Sequence, residues 1–282
     1  MSVMFEQREG EAGFEERYRL HRRFDRMGRL VGDDAMKILF RSHVVVIGLG
    51  GVGSWAAESL ARSGIGKLTL VDFDEICVTN FNRQLPALQG RVGEKKADVM
   101  GERLRKINPQ CEVVVCVEFY RPEVADRLLA GADFVVDAID SVTYKCHLLA
   151  ECRTRAIPVV TSTGSGGRLD PLLIRMADLA ETQVDPLARS VRRILREKHA
   201  FPAEGAGLFG IPAIYSIEPA AEPRELHYDE GQGFKCVCPQ GDKNEFFQCD
   251  NRNLIMGNSS FVTGAFGLAA ASHVVRSLIR KT

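Results

Sequence analysis

The strongest constraint on the fold is a regular alternation of short β-branched runs and helical segments that begins near residue 33. His43–Ile47 is a continuous run of the kind found in strands that are buried on both faces. Helical segments and further strand-like runs follow in turn up to residue 162. Because parallel strands need crossover connections, this order implies a parallel sheet with helices on both faces. We therefore predict an α/β protein with a doubly wound, mostly parallel, Rossmann-like sheet and a C-terminal elaboration.

The predicted elements divide the chain into a regular first half and an irregular second half. Strands are predicted at 43–47, 67–71, 112–117, 133–137, 158–162 and 213–217, and helices at 33–40, 54–63, 93–107, 122–130, 142–155, 185–199 and 261–279. Asp33 is expected to cap the first of these helices. The segment 200–212 is predicted as a loop, and 218–258 has no assignment. We expect a loose tail at 1–16 and a single domain at 17–282, with a core at about 33–165 and the elaboration at about 166–282.

The last predicted helix is the most apolar long segment of the chain. It contains Ser272, His273, Arg276 and Ser277, which favours a buried or docking helix over a membrane span. The N-terminal residues lack the apolar run of a signal peptide. We therefore expect a cytoplasmic protein with no membrane span.

Charge is balanced overall but is distributed unevenly. The chain has 37 Lys+Arg and 37 Asp+Glu, which argues against a wholly basic surface but leaves room for local patches. Arginines concentrate at 17–29 and on one face of the predicted helix 185–199, where they are Arg189, Arg192, Arg193 and Arg196. This face is suited to nucleic-acid phosphates, and the alternative is the solvated side of an amphipathic helix.

The eight cysteines fall into two groups. In a reducing compartment they are not expected to form a disulfide framework. Those with apolar neighbours are interpreted as core residues: Cys77, Cys111, Cys116, Cys146 and Cys152. Cys236, Cys238 and Cys249 lie in a polar stretch. Three interpretations stay open for them: a structural or incidental role, a metal site completed by a residue such as His227, or a reactive thiol at Cys249.

Glycines follow the first predicted strand directly and precede a helix. They are Gly48, Gly50, Gly51 and Gly53. In this context glycine allows backbone N–H groups to approach an anion at the helix N-terminus, as in dinucleotide-binding loops. Asp72 ends the next strand about twenty residues later, where an acid binds ribose hydroxyls. Taken alone, these features also fit a dehydrogenase.

Charged residues at the next strand ends favour a triphosphate over nicotinamide. Arg83 follows the second strand, Lys96 lies near the start of the next helix, and Asp140 follows the fourth strand, which also ends in Asp137. Arginine and lysine bind phosphates, and a carboxylate can hold Mg²⁺. Individually, each residue could equally be a surface charge or a helix cap.

Together these motifs resemble the ubiquitin-activating superfamily, whose ThiF-like and MoeB-like members adenylate a carboxylate with ATP. The resemblance rests on the glycine loop, Asp72, Asp74, Asn80, Arg83, Lys96 and Asp140. Within the superfamily, segments 77–84, 137–141, 164–171 and 178–188 are similar to the tRNA threonylcarbamoyladenosine dehydratase family. The likeness covers about 23–217 and resumes at 261–278.

The resemblance implies an ATP-dependent cyclisation of threonylcarbamoyladenosine in tRNA, through an acyl-adenylate. Gly48, Gly50, Gly51 and Gly53 would hold the nucleotide together with Asp72, Asp74 and Asn80, and Arg83 and Lys96 would bind phosphates. Asp140 would bind Mg²⁺, and Arg26 would enter the site of a neighbouring subunit, which implies a homodimer. Some relatives have a cysteine desulfurase or sulfur-acceptor partner. Zinc-bearing relatives use paired Cys-x-x-Cys motifs that this chain lacks, so zinc is weakly supported.

Three alternative functions follow from the same residues. The nearest is an adenylyltransferase that activates the C-terminus of a ubiquitin-like sulfur carrier, because it uses the same ATP site. The others are a nucleotide-binding scaffold without turnover and a dehydrogenase. The set Arg83, Lys96 and Asp140 argues against both of these.

Overall fold

A seven-stranded sheet organises the protein. The computed structural model describes residues 22–224, 226 and 256–280. The strands are β1 (His43–Ile47), β2 (Lys67–Val71), β3 (Glu112–Cys116), β4 (Phe134–Asp137), β5 (Val159–Ser162), β6 (Ile174–Asp178) and β7 (Pro212–Ser216). Their order is β3-β2-β1-β4-β5-β7-β6, with all neighbours parallel except the antiparallel pair β6 and β7. The predicted fold class is confirmed.

Helices cover both faces of this sheet. They are α1 (Asp25–Val31), α2 (Asp33–Arg41), α3 (Gly53–Arg62), α4 (Lys96–Ile107), α5 (Ala125–Leu129), α6 (Val142–Thr154), α7 (Pro186–Lys198) and α8 (Ser260–Ile279). β1 supplies both cores, because its alternate side chains point to opposite faces. Val44 and Val46 pack with residues of α3, α4 and α8, whereas Val45 and Ile47 pack with residues of α5, α6 and α7.

The strand order places a crevice at the carboxyl end of β1. From β1 the chain builds outward to β2 and β3, and it then returns to add β4 and β5 on the other side. Connections on the two sides of such a switch point diverge, and ligands of doubly wound sheets bind in the gap between them. The glycine loop, Asp72 and Asp140 all follow strands that end at this edge.

The apolar helix α8 is a core helix, as predicted. By length and composition alone it could span a membrane, but more than half of its most apolar window is buried against the rest of the protein. A Cβ at Gly267 would lie 2.4 Å from the backbone O of Val52. Glycine at this position is therefore what allows α8 to pack closely against the start of α3.

The structure corrects the sequence prediction at several places, among them the helix predicted at 93–107, which begins at Lys96. Asp33 does not cap α2, because Gly32 occupies the cap position without a side-chain bond and Asp33 is the first helical residue. β6 was not predicted, since it is an edge strand whose side chains are half-buried or exposed and form no apolar run. α1 was missed as well, and none of its residues is buried.

Candidate nucleotide site

The loop 48–53 joins β1 to α3, and its geometry requires glycine at its two ends. Gly48 has φ +89°, and a Cβ there would lie 2.7 Å from the backbone O of Ala138. A Cβ at Gly53 would lie 1.7 Å from the backbone O of Gly48. At Gly50, in contrast, the nearest atom to a Cβ would be Nε2 of Gln84 at 3.8 Å. Packing therefore explains the end glycines, and the open space at Gly50 is where a ligand can approach the backbone.

The N-terminus of α3 is available to an anion. Its cap residue Val52 makes no side-chain capping bond, and the first turn contains no acidic residue. The first N–H groups of a helix have no partner within the helix, and they carry the positive end of its dipole. The loop and the helix together form an arrangement suited to a phosphate.

Asp72 ties the end of β2 to the glycine loop. Its carboxylate accepts bonds from the backbone N of Leu49 at 2.6 Å and the backbone N of Asp74 at 2.8 Å. Only 8% of the residue is exposed, and this burial raises the pKa of Asp72. A carboxylate has about four acceptor positions, so two further bonds to ribose hydroxyls are chemically available.

Lys96 lies beside this carboxylate at the first residue of α4. Its Nζ is 2.7 Å from Oδ2 of Asp74, and 6% of the residue is exposed. Burial lowers the pKa of Lys96, but attraction by Asp72 and Asp74 outweighs burial, so the pKa is raised. Lys96 therefore stays charged, as a phosphate-binding group must.

A short 3₁₀ turn, Val78–Asn80, brings Arg83 to the same edge. Asn80 orders this loop, since its Oδ1 accepts a bond from the backbone N of Cys77 at 3.0 Å. Nη1 of Arg83 donates to the backbone O of Thr79 and to Oδ1 of Asn82. The backbone of Arg83 is fixed by Trp55, whose indole N–H donates to its carbonyl at 3.1 Å. The structure thus gathers the predicted loop, ribose and phosphate residues around one crevice.

The two carboxylates of the segment 137–140 have different environments. Asp137 is fully buried, with Nζ of Lys145 2.6 Å from its Oδ2. Asp140 is exposed between the end of β4 and the start of α6. The carboxylate of Asp140 is therefore accessible to a cation, whereas that of Asp137 is not. Among the described residues, no group of three or more His, Cys, Asp or Glu is arranged for a metal ion. One carboxylate fits Mg²⁺ nevertheless, because this ion is commonly held by one or two carboxylates together with substrate phosphates and water.

An aromatic cluster beside Asp72 was not predicted from the sequence. The ring centroids of Phe73 and Phe119 are 4.9 Å apart, and those of Phe119 and Tyr144 are 4.5 Å apart, both edge to face. All three side chains are half-buried. Phe73 follows Asp72 directly, and Phe119 lies shortly after the end of the adjacent β3. Their position near the ends of neighbouring strands was a usable signal in the sequence.

A second network missed by sequence reasoning joins the segments 164–171 and 178–188. Nη2 of Arg168 is 3.0 Å from Oδ2 of Asp185, and both side chains are almost completely buried. The same guanidinium donates to backbone carbonyls at Gly164, Gly166 and Glu218. Oδ1 of Asp185 caps α7 by accepting a bond from the backbone N of Ala188. This ion pair therefore holds the loop after β5 against the start of α7.

The predicted arginine face of α7 divides into two pairs. Arg189 and Arg193 are exposed. Arg192 and Arg196 are half-buried against their own subunit: Arg192 contacts the hydroxyl of Thr182, and Arg196 lies over the ring of Phe209. Burial, with repulsion from Arg196 and Arg189, lowers the pKa of Arg192. Two of the four arginines are thus exposed, and one of them, Arg193, has its Nη1 3.6 Å from Oε2 of Glu197.

Arg26 lies far from the nucleotide crevice of its own chain. It is an exposed residue of α1, and Arg23, two residues before α1, donates to the backbone O of Ile107 at the C-terminal end of α4 at 2.9 Å. Lys96, at the other end of α4, belongs to the crevice. A helix of 12 residues is about 18 Å long. Arg26 therefore does not join the predicted site within one chain.

The cysteines of the first group are mostly core residues. Cys77, Cys111, Cys146 and Cys152 are buried, and Cys116 is half-buried. Burial raises the pKa of Cys111 and Cys146 to about 11 and that of Cys152 to about 12. These thiols are therefore uncharged at neutral pH. Cys236, Cys238, Cys249 and His227 lie outside the described residues.

The fold and the crevice define a nucleotide-binding α/β protein of the adenylating class. The family model of the ThiF family matches residues 24–282. tRNA threonylcarbamoyladenosine dehydratase of Escherichia coli K12 is 41% identical over 263 residues, which are 92% of this chain and 94% of that relative. The chain belongs to the ThiF family, in the branch of the tRNA threonylcarbamoyladenosine dehydratases.

A solved structure and a more distant relative complete the comparison. The crystal structure of the E. coli dehydratase, TcdA, in complex with ATP has a TM-score of 0.79 and 38% identity, covering 93% of this chain and 95% of that chain. Molybdopterin-synthase adenylyltransferase of Salmonella typhimurium is 32% identical over 208 residues, which are 73% of this chain and 80% of that relative.

Proposed function

We propose that this protein is an ATP-dependent dehydratase that cyclises threonylcarbamoyladenosine in tRNA. The observation that carries the proposal is the cluster around the glycine loop, in which Asp72, Asp74 and Lys96 meet at the end of β2. A buried, charged lysine beside an open helix N-terminus suits a triphosphate, whereas nicotinamide needs no such cation. High identity over nearly the whole length of the E. coli dehydratase supports the substrate.

The first step activates the threonyl carboxylate. One of its oxygens attacks the α-phosphorus of ATP, the bond to the oxygen that bridges the α- and β-phosphates breaks, and pyrophosphate leaves. The product is an acyl-adenylate, whose leaving group is AMP instead of oxide. In the second step an atom of the threonylcarbamoyl group attacks the activated carbonyl carbon and loses its proton. AMP departs, and the ring closes with net loss of water.

The chain contributes binding and charge stabilisation to both steps. The loop at Gly48, Gly50, Gly51 and Gly53 and the start of α3 bind phosphate oxygens, and Asp72 binds ribose, with Asp74 and Asn80 ordering the surrounding loop. Lys96 and Arg83 offset the charge that develops on pyrophosphate. Each such donor is worth about 10²–10³ in rate when it is preorganised. Asp140 would hold Mg²⁺, which supplies further charge neutralisation when it is bound to ATP.

The aromatic cluster is the proposed wall of the adenine subsite. Phe73, Phe119 and Tyr144 lie beside the ribose-binding carboxylate, and an aromatic wall stabilises a planar base by stacking. Because Asp72 would bind the ribose, the neighbouring rings would meet the adenine end of the nucleotide. The triphosphate then extends from the ribose toward the glycine loop.

The tRNA contact is proposed for α7, mainly through Arg189 and Arg193. These two residues are exposed one helical turn apart, so they can reach successive phosphates. Arg192 and Arg196 lie behind them and add positive potential. The network of Arg168 and Asp185 supports the proposal, since it fixes this helix next to the loop that follows β5.

A homodimer is proposed because Arg26 is remote from the crevice of its own subunit. A partner's copy of this exposed arginine could complete the phosphate site, as the family resemblance implies. The single adenylating domain and the cytoplasmic location also remain proposals. A sulfur-relay partner, zinc and the roles of Cys236, Cys238 and Cys249 stay predictions from the sequence.

Pyrophosphate exchange tests the assignment of the site. With threonylcarbamoyladenosine-containing tRNA as the acceptor, Asp140→Ala and Arg83→Ala are each expected to lower ATP–pyrophosphate exchange by about 10²-fold or more. Circular dichroism and thermal melting serve as controls for the fold. Exchange at the level of the unsubstituted protein in both variants would refute the assignment. If exchange instead requires the C-terminus of a sulfur-carrier protein, the alternative adenylyltransferase is correct.

A further inference from the structure

A buried ion pair beneath the crevice has no role in the steps above. It joins Asp137, the last residue of β4, to Lys145 in the second turn of α6. Nζ of Lys145 is 2.6 Å from Oδ2 of Asp137, and the exposed fractions of the two residues are 1% and 0%. The hydroxyl of Thr161, on the adjacent β5, donates to the same Oδ2 at 2.6 Å. Burying two charges this completely is costly, and apolar replacements of such pairs are often as stable. The pair therefore calls for an explanation besides stability.

The second oxygen of Asp137 connects the pair to the nucleotide site. Oδ1 accepts a bond from the backbone N of Ile139 at 3.1 Å, which closes the turn between the end of β4 and Asp140. The start of this turn is held against β1, because the backbone N of Ala138 donates to the O of Ile47 at 2.9 Å. The turn thus runs from a fixed strand end to Asp140 in three residues.

The same turn touches the glycine loop. A Cβ added at Gly48 would lie 2.7 Å from the O of Ala138, and a Cβ added at Gly53 would lie 3.2 Å from the Cβ of Ala138. The turn therefore lies close against both ends of the loop. A shift of the turn would therefore alter both the phosphate-binding backbone and the position of the Asp140 carboxylate.

We propose that Asp137 is a positioning residue for the nucleotide site, with its carboxylate held in place by Lys145 and Thr161. Lys145 and Thr161 fix one oxygen of the Asp137 carboxylate, so that the other oxygen holds the turn that presents Asp140 to the cation of the bound nucleotide. This inference rests on the proposed function, because it needs Asp140 to bind Mg²⁺ with ATP. Groups that orient a metal-binding residue commonly change metal affinity by about 10–100-fold when they are removed.

Two double variants separate positioning from stability. Asp137→Leu with Lys145→Met replaces the ion pair by apolar side chains and removes the acceptor for the N of Ile139. Asp137→Asn with Lys145→Met is equally uncharged but keeps an oxygen in that place. The dissociation constant of ATP is measured by calorimetry with Mg²⁺ and with EDTA, and thermal melting checks the fold of each protein. This readout does not depend on turnover.

The first pair is expected to reduce the gain in ATP affinity that Mg²⁺ provides by about tenfold or more. The dissociation constant of ATP measured in EDTA is expected to change little. The second pair is expected to stay within about threefold of the unsubstituted protein. If the first pair fails to fold, Thr161→Val takes its place and is expected to weaken the Mg²⁺ effect in the same direction, because it removes the hydroxyl that bonds to both Asp137 and Lys145 but keeps the ion pair. A Mg²⁺ effect within about threefold of normal in the first pair, or in Thr161→Val where the first pair does not fold, overturns the inference.

Asp140→Asn distinguishes this inference from the proposed function. If Asp140→Asn abolishes the Mg²⁺ effect and the apolar pair preserves it, only the positioning role of Asp137 fails. If Asp140→Asn itself preserves the effect, the proposed metal role of Asp140 fails, and the positioning role fails with it.

Discussion

Removing the Arg168 guanidinium should destabilise the protein strongly, although Arg168 lies in an irregular part of the fold. Arg168→Met would leave the carboxylate of Asp185 buried without its partner, at a site where both side chains are almost fully excluded from water. Breaking a buried pair in this way costs about 3–5 kcal/mol. The carbonyls of Gly164, Gly166 and Glu218 would lose a donor as well. These losses share one side chain and are not additive, so we expect the free energy of unfolding to fall by about 4–5 kcal/mol in total.

Thermal denaturation followed by circular dichroism measures this loss. In a protein of this size each kcal/mol of lost stability lowers the melting temperature by about 2–4 °C, so Arg168→Met should melt at least about 8 °C below the unsubstituted protein. Arg175→Met is the matched control, because Arg175 is exposed on β6 and, among the described residues, its side chain donates to carbonyls near it in sequence. The control should change the free energy of unfolding by less than about 0.5 kcal/mol.

A double variant tests the physical reason for the effect. Adding Asp185→Asn to Arg168→Met removes the unpaired charge but keeps an oxygen that can cap α7. Part of the lost stability should then return. A melting temperature for Arg168→Met equal to that of the Arg175→Met control would refute the account of this network, and no recovery in the double variant would refute the role of charge.

The remaining predictions concern pH, the base subsite and tRNA. Burial lowers the pKa of His43, so the unfolded state binds a proton that the folded state does not. The free energy of unfolding should therefore fall as pH drops below about 6.5. Chemical denaturation at several pH values should show a smaller fall for His43→Gln. Phe119→Ala should weaken ATP binding by about tenfold in calorimetry, whereas an unchanged affinity would remove this ring from the base subsite. Arg189→Glu with Arg193→Glu should weaken tRNA binding and flatten its salt dependence, and an unchanged salt slope would indicate a merely solvated helix face.

Strands buried on both faces could be predicted accurately from the sequence. β1 and β2 have the predicted bounds, because a strand inside a parallel sheet is apolar along its whole length. β6 could not be found in this way, since at the edge of the sheet Arg175 and Met176 are exposed and the strand is held by its pairing with β7. Such pairing is a tertiary property that a local pattern does not contain.

The candidate site was predictable where a residue follows a strand end directly. Asp72 follows the end of β2 and Lys96 begins the helix that starts at the same edge of the sheet, so their proximity follows from the order of elements. The distinction between Asp137 and Asp140 did not follow from the sequence. It depends on Lys145, which reaches Asp137 from the next helix and makes it a buried structural group. Side-chain partners of this kind are decided by packing and not by spacing along the chain.

The central claim is tested most directly by the reaction itself. Purified protein is incubated with ATP, Mg²⁺ and tRNA that carries threonylcarbamoyladenosine, and the nucleosides are then analysed by mass spectrometry. The account predicts a cyclic nucleoside lighter by one water, with formation of AMP and pyrophosphate that depends on this tRNA. Unchanged threonylcarbamoyladenosine in the presence of folded, ATP-binding protein would contradict the claim.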